Sequence, residues 1–524
     1  MTHQKSENRE VSQGGRKAVP TRDVETSGGE KAVPVNQRAE QMLLPYGTAE
    51  NPSTPIEGVA KKAVRHPRRS ASRAMPQPDD KEQRARLVTL EVIASRLELA
   101  FEKVAANKGA PGPDRQTIDQ VRKHQETILS ELRRSLLDGS YRPGDIRRVW
   151  IPKSGGGQRG LGIPNVVDRV VQEAVRMVLE PLYEPTFHVQ SHGFRPGRGC
   201  HTAIAQAVEH LEDGYEWVVD LDLKNFFDGV NHQRLLARLA QRVKDKRVLV
   251  LIGQMLKTAV VMPDGVRVST EEGVPQGGPL SPLLANIVLD EFDEELVRRG
   301  HRFVRYADDC NIYVQSERAG QRVMASVTRF IEKRLRLQVN ASKSAVARPA
   351  TRHFLGFRLC RKASEGTVEI QLSERSEKRL RERIRELTPR TWGQSVSSCI
   401  DAINGYLQGW LGHFAICTYR ARRTFVDADA HIRRRLRAIK LAHWGTKLTI
   451  ARRITKLGVS RHTAFRAVYS GRKSVWALSH QAAIDRALST SYWAKQGLIS
   501  VEGAWKKLYR NRVASGRQQL LPLR

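Results

Sequence analysis

The sequence predicts an α+β fold in which an antiparallel sheet in the middle of the chain is followed by a long helical region. Two stretches rich in β-favouring residues, 217–230 and 303–314, carry acids among their apolar residues. From about Leu372 onward the apolar residues recur at helical spacing. Strands that are followed by a run of helices are typical of the α+β class.

Length and composition limit the classes of protein. The 524 residues leave room for about three or four domains. The formal net charge of +34 favours a polyanionic partner, with nucleic acid first and an anionic membrane surface second. The sequence has no apolar run of transmembrane length and no secretory signal. Its five cysteines form no CxxC pair, which predicts a cytoplasmic protein with inert thiols.

The first 80 residues are expected to be a disordered, basic tail. They are rich in Gly, Ser, Pro, Gln, Glu and Lys and show no sustained apolar period. Such a segment does not bury enough surface to offset the entropy that ordering costs. Its basic cluster at residues 61–73 either touches nucleic acid or only keeps the tail solvated.

Ordered structure is expected to begin near Lys81. The spacing of apolar residues predicts a helix over residues 86–104 and another over 118–137. The loop between them, residues 107–114, is rich in the helix breakers glycine and proline.

A β-hairpin with a glycine-rich tip is predicted for residues 147–164. The tip carries Lys153 and Arg159, and its glycines allow the backbone to approach a ligand closely. The two cations are suited to a triphosphate, although a mobile turn explains such a loop equally well. A helix over residues 168–179 and a rigid turn with two more arginines, residues 191–200, follow.

The stretch 217–230 is predicted to be a strand with acids at alternate positions. Side chains two residues apart in a strand point to the same face, so Asp220 and Asp222 are expected to lie together. One interpretation is an edge strand with a solvated acidic face. The flanking Val, Leu and Phe residues favour a buried central strand, in which a buried acid needs a partner.

Residues 303–314 predict a tight hairpin with Asp308 and Asp309 at its tip. Adjacent carboxylates repel each other, and a divalent cation removes that penalty. The pair is therefore either a metal site or a polar β-turn. A turn and a helix ending near Arg298 are predicted before this hairpin, and a helix over residues 323–335 is predicted after it.

The region after Leu372 is predicted to be helical, with one helix from a Ser373 cap to Leu387 and another over residues 396–414. Between residues 420 and 456 there are 12 Lys or Arg and two acids. This excess favours an RNA-binding surface over an ordinary solvated face. A closing unit over residues 476–508 is expected to bury four aromatic side chains: Trp476, Tyr492, Trp493 and Trp505.

In their order, these stretches resemble the reverse transcriptase–maturases that bacterial group II introns encode. The fingers and palm blocks of that family are similar to residues 107–114, 151–164, 190–202, 218–228, 273–287, 303–314, 340–344 and 354–357. The stretch VPQGGPLSPLLAN, residues 274–286, is much closer to intron enzymes than to retroviral or retron ones. GYLQGW, residues 405–410, resembles the family's maturase region. The resemblance covers about residues 81–510.

The resemblance implies a right-hand polymerase with fingers, a palm built on an antiparallel sheet, a helical thumb and a basic helical maturase (X) domain. The implied segments are the N-terminal tail (1–80), N-terminal extension and fingers (81–215), palm (216–370), thumb (371–415), maturase domain (416–475) and C-terminal segment (476–524).

The resemblance assigns Asp222, Asp308 and Asp309 as catalytic acids and metal ligands, with Leu223 beside them in the metal set. Two Mg²⁺ ions are the implied cofactors. The residue types agree with this chemistry, because Mg²⁺ is a hard cation that prefers carboxylates. Phosphoryl transfer needs such ions to neutralise charge and to activate a hydroxyl.

The implied binding residues fall into two groups. The nucleotide-binding set is Lys153, Arg159, Phe227, Gln276 and Lys343. Within it Phe227 is expected to crowd a 2′-hydroxyl and so select dNTPs, with Phe226 as the alternative. The RNA-binding set is Arg422, Arg423, Arg433, Arg434, Arg435, Arg437, Lys440, Arg452 and Arg453.

The implied function is an RNA-directed DNA polymerase that binds its group II intron RNA, assists splicing and copies the intron into DNA. The implied partners are this RNA, an RNA template with a DNA primer, dNTPs and target DNA, with no membrane. A cytoplasmic location, near the nucleoid when DNA is engaged, is expected. Alternatives are a splicing maturase without polymerase activity and a reverse transcriptase of another element, such as a defence system. No HNH-type endonuclease is expected, since paired cysteines are absent from the sequence.

Overall fold

The structure is a computed structural model that describes residues 88–152, 157–362, 364–389, 393–471 and 474–514, with only the backbone for 512–514. The predicted tail (1–80) and Lys153 lie outside the described residues. In the described part of the chain, no helix has both the length and the apolar character that a membrane span requires.

The first described elements are helices α1 (Leu90–Ala94), α2 (Leu97–Ala106), α3 (Ile118–Lys123) and α4 (Gln125–Leu137). The sequence predicted one helix where α1 and α2 lie and one where α3 and α4 lie, and both predictions missed a break. The hydroxyl of Ser95 donates to the carbonyl of Val92 (2.8 Å) at the first break. At the second break the backbone of His124 leaves the helical region. A bond such as that of Ser95 competes with the hydrogen bonds of the helix. Neither break changes the spacing of apolar residues, so the sequence pattern does not predict it.

The two strands of the predicted hairpin over residues 147–164 are present, and the predicted tip at residues 153–156 lies outside the described residues. The strands are β1 (Ile146–Pro152) and β2 (Gln158–Ile163), which pair antiparallel. Helix α5 (Val166–Tyr183) follows and is longer at both ends than the predicted one. Most of its residues are buried, including residues on the face opposite the apolar one, so α5 forms a core element behind the hairpin.

The next elements are α6 (Cys200–Glu212) and β3 (Trp217–Leu221). The prediction that this strand continues to residue 230 is wrong. The amide of Asp222 donates to the hydroxyl of Ser344 (3.1 Å), which takes it out of the strand pairing. Asn225 then adopts a left-handed backbone (φ +49°), and the 3₁₀ helix Phe226–Asp228 follows. Asn tolerates this conformation better than most residues, so a turn forms where the apolar pattern indicates a strand.

The chain continues with α7 (His232–Ala240), α8 (Lys246–Leu256), β4 (Val260–Val261), β5 (Arg267–Val268) and α9 (Ser281–Arg298). Strand β4 adds to β1 in parallel and β5 pairs with β4, which gives a sheet of order β2-β1-β4-β5. Helix α9 ends at Arg298, as the sequence predicts, and has a proline in its first turn.

The central sheet is completed by β6 (Arg302–Tyr306), β7 (Asp309–Val314), α10 (Glu317–Phe330), the π-helical turn Ile331–Leu335 and β8 (Ala345–Ala347). Within the described residues this sheet has four strands in the order β6-β7-β3-β8, and each neighbouring pair is antiparallel. The predicted antiparallel palm sheet is thus confirmed. Helix α10 starts before the predicted residue 323, because the hydroxyl of Ser316 caps it by accepting from the amide of Ala319 (3.3 Å).

A two-stranded sheet and two long helices follow, formed by β9 (Phe357–Arg361), β10 (Val368–Leu372), α11 (Glu374–Leu387) and α12 (Val396–Phe414). Ser373 caps α11 through the amide of Ser376 (3.2 Å), as predicted. The predicted bounds of α12 are also confirmed.

The last described region is helical and contains α13 (Arg422–Trp444), α14 (Lys447–Lys456), α15 (Arg461–Tyr469), α16 (Val475–Leu478), α17 (Ala482–Ala487), α18 (Thr490–Lys495) and α19 (Val501–Ala514). The predicted closing unit is correct in part. Trp493 and Trp505 are fully buried, whereas Trp476 and Tyr492 are half-buried. Trp476 packs against an arginine of α13, since the guanidinium of Arg434 lies 3.7 Å from the centroid of its ring.

Helix α19 is fixed to the middle of α13 by one carboxylate. Asp429 is buried and accepts from the hydroxyl of Ser500 (2.7 Å) and from the amides of Val501 (2.8 Å) and Glu502 (3.1 Å). An acid at a helix N-terminus satisfies amides that have no partner within the helix. Asp429 is therefore used in packing and does not lower the charge of the exposed face of α13.

A buried arginine fixes the turn between β6 and β7. Arg305 is fully buried, and its guanidinium makes a bidentate pair with Asp293 of α9 (2.7 and 2.6 Å). It also donates to the side chains of Asn286 (3.0 Å) and Ser191 (2.7 Å) and to the carbonyl of Ala307 (2.9 Å) within the turn. All of its donors are used, which is the condition under which a buried charge is tolerated. This network holds the tip of the hairpin against α9.

We predict that Arg305→Met lowers the free energy of unfolding by about 3–5 kcal/mol, because Asp293 is left as an unpaired buried charge. The double variant Arg305→Met/Asp293→Leu should recover about half of that loss. Urea-induced unfolding followed by circular dichroism measures both effects. The matched control is Arg298→Met, which removes an exposed pair with Glu295 and should cost less than about 1 kcal/mol. A single and a double variant that are equally unstable would contradict the prediction.

Candidate active site

Asp308 and Asp309 occupy the turn of the β6–β7 hairpin, as the sequence predicts. Tyr306 pairs with Asp309 at the end of the ladder, and the chain turns through Ala307 and Asp308. Ala307 has a left-handed backbone (φ +56°), a conformation that costs free energy for a residue other than glycine. The bond from Arg305 to the carbonyl of Ala307 helps to maintain it. The two acids are thus held on a short, rigid turn.

Asp222 lies where β3 ends, on the strand next to β7. Its carboxylate accepts from the side-chain amide of Asn340 (3.1 Å) and lies 3.5 Å from the ammonium of Lys343. Asn340 in turn donates its backbone amide to the carbonyl of Asp222 (2.8 Å). The loop after α10 therefore positions Asp222 and places a cation beside it.

The acids of the two strands form one electrostatic site. Removal from bulk water and the charges of Asp308, Asp220 and Asp222 raise the pKa of Asp309 to about 7, although part of its carboxylate is open to solvent. The pKa of Asp308 is also raised, first by burial and further by Asp222. The structure thus brings together the acids that the sequence singled out.

Asp220 differs from the other acids in having an ion pair with an arginine, although its charge still acts on Asp309. Arg352 holds its carboxylate at 2.7 Å. Burial raises the pKa of Asp220 in spite of this arginine. The partner that a buried acid on this strand required is therefore Arg352.

The donor set at this site fits a divalent cation. Among the described residues, no three acid, histidine or cysteine side chains enclose a metal position by themselves. Mg²⁺ does not need such a cage, since it is usually held by one or two carboxylates together with substrate phosphates and water. The raised pKa values of Asp308 and Asp309 are the observation that supports the fit, because a nearby dication favours the ionised carboxylates.

The residues predicted to contact the nucleotide surround this site in part. Arg159 is exposed on β2, and its charge lowers the pKa of Asp308, so it faces the acids. Lys343 contacts Asp222 directly. The carbonyl of Gln276 accepts from the amide of Gly162 (2.6 Å), which joins the Gln276 loop to the hairpin of β1 and β2.

Phe226 and Phe227 are distinguished by burial. Phe226 is buried in the core, whereas Phe227 is partly exposed and packs edge-on against the Phe226 ring (5.2 Å between centroids). Phe226 is the predicted alternative because neighbouring residues of a strand face opposite ways. Because both residues lie in the 3₁₀ helix, that argument does not hold. Leu223 is buried and bridges to Val339.

The predicted RNA-binding residues divide into exposed and engaged side chains. Arg423, Arg452 and Arg453 are exposed. Arg433 and Lys440 are half-buried on α13. The others make contacts within the protein: Arg422 with Glu502, Arg434 with Trp476, Arg435 with the backbone of Thr388 and Arg437, which is buried, with Asp485.

Positive charge accumulates between α11 and α13. Burial lowers the pKa of His431 to about 4, and the surrounding arginines add to this effect: Arg435, Arg385, Arg434 and Arg381. Two of them lie on α11, outside the segment that the sequence indicated. The basic surface therefore spans two helices.

Sequence reasoning missed the residues that position the acids. Asn340 was included only as the start of a loop in which Lys343 was singled out, and Arg305, Asn286 and Asp293 were not singled out at all. A signal existed for Arg305, because a charged residue between Val304 and Tyr306 in a buried strand requires a partner. Its partner is distant along the chain and is not visible in the pattern.

Two family descriptions match the chain. Residues 151–359 match "Reverse transcriptase (RNA-dependent DNA polymerase)". Residues 377–458 match "Group II intron, maturase-specific domain". The first match includes the acids of the candidate site, and the second includes the exposed arginines of α13 and α14.

Two curated proteins are similar to parts of this chain. Protein YkfC of Escherichia coli (strain K12) is 33% identical over 353 residues, which cover 60% of this chain and 92% of YkfC. Group II intron-encoded protein LtrA of Lactococcus lactis subsp. cremoris is 39% identical over 210 residues, which cover 40% of this chain and 34% of LtrA. This chain thus spans nearly all of YkfC and about a third of LtrA. A solved "Partial Cas6-RT-Cas1--Cas2 complex" has a TM-score of 0.29 at 24% identity and covers 45% of this chain and 41% of that chain.

Because several acids surround Asp309, the free energy of unfolding of the metal-free protein is predicted to depend on pH. The folded chain keeps the proton of Asp309 up to about pH 7, whereas the ordinary pKa is 3.8. Stability is therefore greatest below that ordinary value and falls as the pH rises through the pKa of the folded state. Asp309→Asn, which mimics the protonated acid, removes this fall. In EDTA its Tm should be close to the wild-type Tm at about pH 4, near the ordinary pKa, and exceed it at pH 8.

Thermal unfolding at both pH values provides the measurement. Mg²⁺ added at pH 8 should raise the wild-type Tm and leave that of Asp309→Asn less affected. The control is Asp228→Asn, which alters an exposed acid of the neighbouring 3₁₀ helix. Parallel pH curves for wild type and Asp309→Asn would show that the charges do not interact as described.

Proposed function

Because this chain belongs to the family of reverse transcriptases with a group II intron maturase domain, we propose that it is an RNA-directed DNA polymerase acting on a group II intron. In this proposal it binds the intron RNA, assists its splicing and copies it into DNA for intron mobility. The observation that supports the proposal is the shared electrostatic site of Asp222, Asp308 and Asp309, which lie at the adjacent ends of the paired strands β3 and β7.

The proposed reaction is nucleotidyl transfer from a dNTP to a primer 3′-hydroxyl. Asp222, Asp308 and Asp309 would hold two Mg²⁺ ions, with Leu223 adjacent to Asp222. When bound, these ions neutralise the phosphates and promote ionisation of the hydroxyl. The contribution of the protein is placement, because Arg305 and Asn340 fix the acids before the substrate arrives.

The triphosphate is proposed to lie between Arg159 and Lys343, with Lys153 as the third cation of the set. The charges support this placement, since Arg159 acts on Asp308 and Lys343 contacts Asp222. Lysine and arginine bind phosphate oxygens through charge-assisted hydrogen bonds. Gln276, on the loop joined to β2, would lie along the nucleotide and template.

Phe227 is proposed to exclude ribonucleotides, because its ring is partly exposed five residues after Asp222 while Phe226 is buried. Phe227→Ala should raise incorporation of rNTPs relative to dNTPs by roughly tenfold or more, since one steric contact of about 1.4 kcal/mol is removed. Competition between rTTP and dTTP measures the ratio. Phe227→Tyr, which keeps the ring, is the control. An unchanged ratio in Phe227→Ala would place the gate elsewhere.

The polymerase proposal is tested by extension of oligo(dT) on poly(rA) with dTTP and Mg²⁺. Wild type should extend the primer. Asp308→Ala should lower kcat by at least about a hundredfold, a loss of about 2.7 kcal/mol of transition-state stabilisation. Asp228→Asn, an exposed acid outside the site, should retain activity. Intron RNA binding without any extension by wild type would favour the alternative, a splicing maturase without polymerase activity.

The surface proposed for intron RNA comprises the exposed arginines of α13 and α14 together with the arginines that surround His431. Folded RNA needs its phosphate repulsion offset, and clustered arginines supply counter-charge. Arg437 is left out of this surface because it is buried against Asp485. A reverse transcriptase of a defence system is the other alternative, and a gene located outside a ribozyme-encoding RNA would favour it.

RNA binding is predicted to depend steeply on salt. Arg423→Ser/Arg452→Ser should reduce the slope of log K against log [KCl] by about two, one unit for each phosphate contact. Filter binding of intron RNA at several KCl concentrations measures the slope. Arg318→Ser/Arg322→Ser removes two exposed arginines of α10 and serves as the charge-matched control. Equal slopes in the two double variants would contradict a localised RNA surface.

A further inference from the structure

Phe194 has an unusual combination of backbone and exposure. Its φ is +60°, in the left-handed region that bulky side chains rarely adopt. Its side chain is nevertheless 47% exposed, so burial of the ring does not explain the conformation. A non-glycine residue in this region points to a constraint imposed by the surroundings, and such constraints cluster at functional sites.

The residues on both sides of Phe194 are fixed. The carbonyl of Gly193 accepts from the side-chain amide of Asn286 (2.9 Å), which also binds Arg305. Arg195 is buried, pairs with Glu184 (2.7 Å) and donates to the carbonyl of Ser191 (2.8 Å). These anchors leave the backbone of Phe194 little freedom, so the left-handed conformation is maintained.

This turn lies directly against the β6–β7 hairpin that carries Asp308 and Asp309, the catalytic hairpin of the proposed reaction. A Cβ added to Gly193 would lie only 2.3 Å from the amide nitrogen of Ala307, the residue before Asp308. Glycine is therefore required at 193, and the next side chain along the chain is the exposed ring of Phe194. The half-buried Arg198 lies in the same turn, with its guanidinium bonded to the carbonyl of Val189 (2.6 Å).

We propose that the ring of Phe194 is a stacking platform for a nucleobase of the template–primer beside the catalytic hairpin. The inference rests on the proposed polymerase function and adds a positioning residue to it. Every base has a π-face, so an exposed, rigid aromatic ring stabilises a nucleic-acid strand without regard to sequence. Arg198 adds positive charge to the turn, in keeping with a phosphate-bearing ligand, whereas Glu184 offsets the charge of Arg195.

Strain and stacking are separable by substitution at this one position. Phe194→Tyr and Phe194→Trp keep a ring, while Phe194→Ala and Phe194→Gly remove it. Only glycine relieves the left-handed backbone, so the Tm of Phe194→Gly should exceed that of Phe194→Ala by about 2 °C. The KM for template–primer should instead follow the ring. It should rise by about tenfold in both Ala and Gly variants and stay within about threefold of wild type in Tyr and Trp.

Steady-state primer extension on poly(rA)/oligo(dT) gives KM and kcat, and differential scanning fluorimetry gives the Tm. A kcat that changes little while KM rises indicates lost binding of substrate and transition state alike. Val250→Ala, which truncates an exposed side chain of α8, is the control. A KM that tracks the Tm across the four variants, or that is unchanged in Phe194→Gly, would overturn the proposal.

A fluorescent base identifies the stacked position. We expect 2-aminopurine, placed either at the first unpaired template nucleotide or at the primer terminus, to be more quenched by wild type than by Phe194→Gly at one of these sites. No difference at either site would overturn the proposal. If wild type extends primers while the Phe194 variants behave like wild type, the inference fails and the polymerase proposal stands. If wild type extends no primer, the polymerase proposal itself fails.

Discussion

The geometry of the candidate site depends on one buried cation. Arg305 joins three parts of the chain: the hairpin with Asp308, helix α9 through Asp293 and the segment that contains Ser191, which lies 114 residues away in the sequence. The backbone extends the same junction, because His192 donates to the carbonyl of Arg305 (2.8 Å). A hydrophobic residue in this place would pack well but would leave the turn without a bond that sets its direction. The acids keep their position because the arginine uses every donor.

The protein is strongly basic, yet its candidate site brings several acids close together. This contrast follows from the roles that the two charges have in the proposed function. The basic surface attracts a polyanion over long distances, whereas the acids require a compact dication at short range. Before a nucleotide binds, Lys343 lies beside Asp222 and partly offsets the repulsion. In the proposed function Arg159 and Lys343 then bind phosphate oxygens of the nucleotide. The metal ions take over from these side chains in offsetting the negative charge of the acids.

Much of this arrangement was predictable from the sequence, because the signals are local. Alternating apolar residues predicted the central hairpin. The Ser373 cap predicted the start of α11, and apolar periodicity predicted the bounds of α12. The strand at residue 217 was predicted too long, since Asn225 and the long-range bond from Asp222 to Ser344 end it. The roles of Arg305 and Asn340 depend on partners many residues away. Phe194 looks unremarkable in the sequence, and only the backbone angle distinguishes it.

The bond between Asp429 and the start of α19 has a consequence for synthesis on the ribosome. All residues of the basic helix α13 are synthesised before the start of α19, whose amides donate to Asp429. Trp505, which donates to the carbonyl of Cys417, is synthesised later still. The interval from 429 to 505 is 76 residues, which takes about 4–15 s at common elongation rates. During that interval Asp429 lacks the three donors from Ser500, Val501 and Glu502 that it binds in the folded protein. The packing of α13 against α19 is therefore among the last steps of folding during synthesis.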